Sequence, residues 1–287
     1  MTFLGAWLVT EYVYNPNGSF AGIVRQRREL EQLENGRIRV TQHCRPEPSL
    51  HTHPMGRFTG TPVFELSVDG RYRRYHGPAV IGTGQPWGEG AMTGRGLWPE
   101  FGHNFRSFAL LPEPHWQLTG GQFFNATEMM ANIVGVAVNE NSSDEWPELE
   151  GPHWAGDVAT NWHGTIHRVS KEGIVEREIP LHRHYGQHFD DQLSWTDHWD
   201  DRVNFALDLQ PKIGRLHFKG IGESGVVLQG IGKQFGWLLE IEAATDLGVT
   251  LELMEVLDGR SGHLVGLRRW LCDGEVAWVE VMMLRPN

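Results

Sequence analysis

Two short tracts of this sequence gather the residue types that can do chemistry. The first covers residues 87–106: Trp87, Gly88, Glu89 and Gly90, then Gly94, Arg95, Gly96, Leu97 and Trp98, with Phe101, His103 and Arg106 beyond. Glycines at this density let a backbone approach a ligand closely, and the aromatics among them supply flat apolar walls. Arg95 is the natural partner for an anionic or carbonyl group between those walls. In a purely structural reading, glycine marks the bends of a barrel and tryptophan fills its end. The spacing is no phosphate-binding fingerprint, because no strand leads through it into a helix.

Just upstream, Tyr72, Arg74 and His76 share one face of an alternating segment that Gly77-Pro78 ends. A histidine near its ordinary pKa of about 6.5 both gives and takes protons at neutral pH. The expected catalytic set is therefore His76 as acid–base group with Arg95 and His103. Trp87, Trp98, Phe101, Tyr72 and Arg74 would hold the substrate.

The second tract, residues 181–191, sets His182, His184 and His188 beside Asp190 and Asp191. On a strand, residues two apart project from one face roughly 7 Å from each other. Two imidazoles so placed can share a divalent transition metal, with His188 from the following turn as third ligand. The first half echoes the pair in His51-Thr52-His53. However, His182 and His184 share strand parity with Glu176 and Glu178, opposite Val175, Ile179 and Leu181. If that apolar face is the core, the histidines decorate the wet side.

The elements that must position these residues are strands, since period-two alternation dominates and helical periods are scarce. Residues 7–14 read as a strand ended by Asn15-Pro16-Asn17-Gly18, residues 19–33 as a long second one, and Asn35-Gly36 turns it into a third over 37–43. Asp69-Gly70 joins 63–68 to 71–76, a register that sets Glu65 opposite Arg74 and Phe64 opposite Tyr75. Glu172-Gly173 and Asp273-Gly274 do the same later, the latter joining 263–272 to 275–284.

Landmarks recur in order. Phe20-Ala21-Gly22 reads against Trp162-His163-Gly164, Tyr75-His76-Gly77 against Leu216-His217-Phe218, and Gln117-Leu118-Thr119-Gly120 against His263-Leu264-Val265-Gly266. His76 and His217 are thus paired by the repeat, which a structural position would also explain. The polar, turn-rich stretch 139–159 is the natural linker, dividing the chain into 1–150 and 151–287. The expected fold is all-β, two antiparallel barrels related by internal duplication, with the ligand in the first.

Gly5-Ala6-Trp7 on a first strand resembles the Gly-x-Trp opening of the lipocalins and the wider calycin group, and Trp162-His163-Gly164-Thr165 looks like a second, degenerate opening. In layout the chain is similar to the group that contains bacterial carotenoid hydratases and lipocalin-type cyclases. That resemblance implies a lyase, isomerase or hydratase acting on a small apolar or aromatic substrate in a barrel cavity, without a redox nucleotide. Barrels of this type also carry haem or other hydrophobic cargo, for which His51, His53, His103 or His188 would be the axial ligand. The His-x-His pairs resemble the first metal motif of cupins. This implies a third reading, a bicupin-like oxygenase using His182, His184 and His188.

The net charge of −11 disfavours a nucleic-acid surface, and the one basic run, 25–28, is answered by Glu29, Glu31 and Glu34. Cys44 and Cys272 lie in opposite halves, without the spacing of a disulfide or thiolate–zinc framework. No run approaches the roughly 18 apolar residues of a membrane span, and no basic–apolar opening marks a signal peptide, so a cytoplasmic protein is expected. Neither a Gly-x-Ser-x-Gly elbow nor a βαβ unit is present. The expected partner is a small hydrophobic ligand, with a homodimer also open to such a chain.

Overall fold

Alternation is used twice over, in two antiparallel rings of ten strands, each ring closed on itself. The computed structural model describes residues 4–143, 145–186, 193–199, 202–212, 215–221, 227–245 and 247–287. The chain divides into units Met1–Leu149 and Glu150–Asn287.

The N-terminal ring runs β1 (Gly5–Tyr14), β2 (Phe20–Gln32), β3 (Ile38–Pro46), β4 (Val63–Asp69), β5 (Tyr72–His76), β6 (Ile81–Trp87), β7 (Ala91–Trp98), β8 (His103–Glu113), β9 (Trp116–Asn125) and β10 (Glu128–Asn139). Each strand pairs with the next, and β1 closes on β10. Closure leaves no strand edge unpaired, which a meander of this length would otherwise expose. Trp7, Val9, Glu11 and Val13 of β1 face inward, opposite Arg28, Gln26, Val24 and Gly22 of β2.

One end of this barrel is plugged. The β3–β4 connection makes two 3-10 turns, Pro48–Leu50 and Pro54–Arg57, which bring Leu50, Met55 and Phe58 into the cluster with Val13, Val24, Trp98, Phe105 and Ile133. Gly22 makes room for the plug, because a Cβ there would meet Ser49 Oγ at 2.3 Å and Leu50 Cγ at 2.9 Å.

The C-terminal ring repeats the order with β11 (Asn161–Ser170), β12 (Val175–Tyr185), β13 (Leu193–Trp199), β14 (Arg202–Lys212), β15 (Arg215–Ile221), β16 (Val227–Phe235), β17 (Leu238–Ala244), β18 (Val249–Asp258), β19 (His263–Cys272) and β20 (Glu275–Pro286), with β11 closing on β20. A one-turn helix, Ala155–Val158, precedes it, and the adjacent Trp154 packs on Tyr185 and Trp195 at 5.3 and 5.6 Å between ring centroids.

Two of the three repeat landmarks fall on equivalent strands, the fifth (β5 and β15) and the ninth (β9 and β19). The first does not, since Phe20 opens β2 whereas Trp162 lies on β11. The first-strand counterpart of Trp162 is Trp7, and both indoles are buried. Strands of similar alternation match one another at any shift that preserves parity, so the sequence comparison slid by one strand.

Turn chemistry behaves unevenly. Asp273 and Gly274 take the two positive φ angles of a two-residue hairpin, 52° and 81°, and leave Cys272 opposite Glu275. Around Asn35-Gly36 the loop is instead three residues long, closed by the Leu33 N–H donating to the Arg37 carbonyl at 2.8 Å. The β4–β5 turn is Gly70-Arg71, so Glu65 faces His76 and Leu66 faces Tyr75. This shifts the expected register by two residues, which keeps every side chain on its expected face. Arg74 then meets Asp69 at 2.5 Å, and Glu65 meets Arg37 at 3.0 Å.

Candidate functional site

The two barrel interiors are filled differently. In the C-terminal one, Trp162, Leu181, Trp195, Phe205, Leu253 and Leu284 form a dry core. Through it runs a chain of ion pairs. Arg183 donates from Nε and Nη2 to Asp197 at 2.6 and 3.0 Å, and from Nη1 and Nη2 to Glu255 at 2.8 and 2.9 Å. Arg268 also bonds Asp197 and lies 3.8 Å from Glu280, which Arg168 meets at 2.9 Å. Among the described residues three guanidinium groups thus face three carboxylates. Burial alone would push the Asp197 carboxyl up, but Arg183 and Arg268 overcome it and hold it below the usual carboxylate range. Arg168, near the hairpin end of β11, is the most exposed member.

In the N-terminal interior several inward side chains stay partly accessible. Glu11 and Arg28 point inward from β1 and β2, yet 16% and 21% of their side chains remain accessible. Val9 and Val13, the inward residues on either side of Glu11, are 0% exposed. Water therefore reaches Glu11 from the lumen and not along the wall. Tyr75, Met92, Ser107 and Phe123, inward by register with Leu66, Ala109, Gly94 and Phe105, are likewise only half-buried.

Polar groups converge in this lumen. Arg28 Nη2 donates to Gln26 Oε1 at 3.2 Å and stands 3.9 Å from Glu11 Oε1, beyond hydrogen-bond reach. Arg28 Nε, Thr119 Oγ1 and both ring nitrogens of His103 are buried with no protein partner. A polar group buried without a partner costs about 1–3 kcal/mol, so such atoms mark where a polar ligand atom gains most. Burial pushes the Glu11 carboxyl above the usual carboxylate range, outweighing Arg28 and the hydrogen bond with Gln26. Tyr75 and Cys44 are each pushed up to about 12, chiefly by burial.

The glycine-rich tract builds the lumen's opposite wall. Gly84 and Gly94 sit where a Cβ would fall 2.6 and 2.9 Å from the Tyr75 hydroxyl, and one at Gly96 would fall 2.8 Å from the Phe105 ring. Bare backbone there lets those rings lie flat against the wall. Phe64, Tyr75, Phe105 and Phe123 form a belt with successive centroids 5.9, 6.4 and 6.3 Å apart.

Of the residues expected from sequence, the structure brings His103, Trp98 and Phe101 together at the plugged end of the lumen. It places His76, Tyr72 and Arg74 on the outer face of β5, opposite Glu65, Asp69 and Ser67. His76 Nε2 lies 2.6 Å from Ser67 Oγ, while the nearby Glu65 is engaged by Arg37. Arg95 is exposed on the outer face of β7, and Trp87 faces outward on β6 with its Nε1 donating to Thr93 Oγ1 at 2.8 Å. The acid–base set His76, Arg95 and His103 is therefore split between two sides of the wall, and the apolar pair Trp87 and Trp98 with it.

His182 and His184 point outward from β12, where Glu176, Glu178 and both imidazoles are exposed. His188 lies outside the described residues, as do Asp190 and Asp191. Among the described residues no three His, Cys, Asp or Glu side chains come together as metal ligands. His51 is exposed, and His53 Nδ1 accepts from the Met55 N–H at 3.1 Å. No described helix is long and apolar enough to cross a membrane. Sequence reading passed over Glu11, Arg28 and Tyr75, although parity was the available signal. Glu11 alternates with Trp7, Val9 and Val13, and Arg28 with Val24 and Leu30.

No family model matches the chain, and no curated protein matches it. Among solved structures, it is similar to a protein of unknown function from the DUF3598 family of Nostoc punctiforme, at 13% identity, a TM-score of 0.62, and coverage of 99% of this chain and 96% of that one. The likeness shows a shared two-barrel fold. A transferrin binding protein B from Haemophilus parasuis aligns at 9% identity over 98% of this chain and 75% of its own, with a TM-score of 0.23. A putative outer membrane protein from Bacteroides fragilis aligns at 8% identity over 99% and 97%, also at 0.23. Likeness at that level carries no inference about this chain.

Proposed function

We propose that this protein is a two-barrel member of the calycin group whose N-terminal barrel binds a small, largely apolar or aromatic ligand, whereas the described interior of the C-terminal barrel is packed with side chains. The observation that carries the reading is the accessibility of Glu11 between the fully buried Val9 and Val13, with the partly accessible Arg28 beside it and an aromatic belt that supplies the apolar contact. Concave, mostly apolar sites with a few convergent polar groups are the usual form of small-molecule pockets. Trp7 in the Gly-x-Trp opening is the inward, buried indole that the group's motif implies.

The neutral fluorescent probe N-phenyl-1-naphthylamine tests this. It should bind saturably to the intact chain, and Ser107→Phe, which fills the lumen, should weaken it by at least about tenfold, a loss of about 1.4 kcal/mol. Ala243→Phe in the other barrel should leave the affinity unchanged. Absence of saturable binding, or equal binding by Ser107→Phe, would overturn the lumenal reading.

A second reading, acid–base catalysis on a bound substrate, is favoured by one observation. A carboxyl whose pKa is raised by burial is the kind of group that serves as an acid or base, and Glu11 is such a group. In that reading Glu11 takes the part expected of His76, with Arg28 and Tyr75 beside it.

A further inference from the structure

We infer that the lumenal ligand is a small organic acid, its anionic head docked on Arg28 and its flat apolar body laid along the Phe64–Tyr75–Phe105–Phe123 belt. This rests on the lumenal reading above and names the chemistry that the lumen selects.

The argument starts from an unbalanced charge. Among the described residues, the C-terminal interior matches three guanidinium groups with three carboxylates, whereas the N-terminal lumen sets Arg28 and Arg73 against Glu11. Arg73 lies inward on β5 near the exposed Val68, at the barrel end opposite the plug, and so extends positive charge from that end toward Arg28. One positive charge is left over among these groups, and Glu11 stands beside Arg28 without a hydrogen bond to it. Its nearest oxygen is 3.9 Å away, its Cγ lies against the bare backbone of Gly135, and burial favours its neutral form.

A guanidinium in a low-dielectric interior needs an anion, and its planar fork suits a carboxylate or sulfonate. Arg28 retains a buried Nε–H with no protein partner, next to an Nη2 held by Gln26. The fork is therefore oriented before a ligand arrives. A neutral Glu11 adds an O–H donor to the same head group, and nearby Thr119 Oγ1 is also free of protein partners.

The same geometry makes binding depend on pH. Around the Glu11–Arg28 pair lie Gln26 from β2, Cys44 from β3, Tyr75 from β5 with Arg73 beside it, and Thr119 from β9. His103 lies farther off at the plugged end. Tyr75 and Cys44, at about 12, keep their protons up to pH 10. As pH rises through the elevated value of Glu11, a carboxylate forms beside Arg28 and competes with the ligand's own anion. Affinity for an organic acid then falls, while affinity for a neutral analogue stays level.

The decisive experiment compares 1-anilinonaphthalene-8-sulfonate with N-phenyl-1-naphthylamine, which has the same aromatic body without the sulfonate, on the intact chain by fluorescence titration from pH 4 to pH 10. At the acidic end of that range the sulfonate should bind at least about tenfold tighter, and Arg28→Gln should erase that preference while leaving the neutral probe within about twofold. Wild-type affinity for the sulfonate should fall as pH rises, and Glu11→Gln should flatten the fall. Equal binding of the two probes, or a preference that survives Arg28→Gln, overturns the anionic assignment and leaves the lumenal reading standing. Failure of both probes to bind overturns the lumenal reading itself.

Discussion

The two barrels solve the same problem, ten strands closed around an interior, in opposite ways. The C-terminal barrel fills its interior with indoles and leucines and threads an ion-pair network through them. The N-terminal barrel plugs one end with Leu50, Met55 and Phe58, spends four glycines on one wall, and leaves Glu11 and Arg28 facing accessible space. A strand count therefore fixes the container and says nothing of its contents. What decides the contents is side-chain volume at inward positions. Trp162 and Trp195 occupy them in one barrel, while Gly82, Gly84, Gly94 and Gly96 occupy them in the other.

The largest expected effect comes from breaking the network. Asp197→Ala leaves Arg183 and Arg268 buried without their shared counter-ion and should cost about 3–5 kcal/mol, read as an early C-terminal transition in urea unfolding. The pH dependence follows from the same residue. Asp197 is held below its usual value of 3.8, so its contribution is complete above that value and is lost as pH falls below it. The C-terminal transition of the wild type should weaken below pH 4, and that of Asp197→Ala should not share this loss.

A smaller effect compares the interiors directly. Ala243→Phe forces a ring into packed space and should cost about 1–3 kcal/mol, whereas Ser107→Phe has open lumen to enter and should cost less than about 1 kcal/mol. Equal costs in thermal unfolding would mean that the barrels are equally full. Smallest of all, His182→Ala and Arg95→Ala on the two outer faces should each shift stability by no more than about 0.5 kcal/mol and leave probe binding unchanged.

The repeated meander and the Asp273-Gly274 hairpin were legible because each rests on local rules, alternation and positive φ. Even the outward placement of His182 and His184 was visible, through their parity with Glu176 and Glu178. The interiors were less legible for a single reason. A charged residue among apolar ones of the same parity carries no local sign of what neutralises it: Arg183 shares parity with Ile179, Leu181 and Tyr185, and Glu11 with Val9 and Val13. The partners that make such burial tolerable, Glu255 and Asp197 for Arg183, come from other strands at sequence distances without a period. Register failed locally too, because Asp69-Gly70 and Gly70-Arg71 are both plausible two-residue turns and only packing separates them. His76, Arg95 and Trp87 were expected in the lumen on residue type, and alternation turns all three away from it, Trp87 into a buried position on the other face of the wall.

Ring closure also shapes how the chain must acquire its structure. β1 and β10 lie side by side but are separated by eight strands, so the pairing that seals the N-terminal barrel is the most distant in its sequence. During synthesis the first nine strands can pair in order, while β1 and β9 stay open edges able to recruit another chain. The last strand to emerge is the one that ends that exposure. Folding dominated by such non-local closure belongs to the slow, millisecond-to-second regime of β topologies. Truncations that remove β10 or β20 should therefore yield aggregates, not smaller barrels.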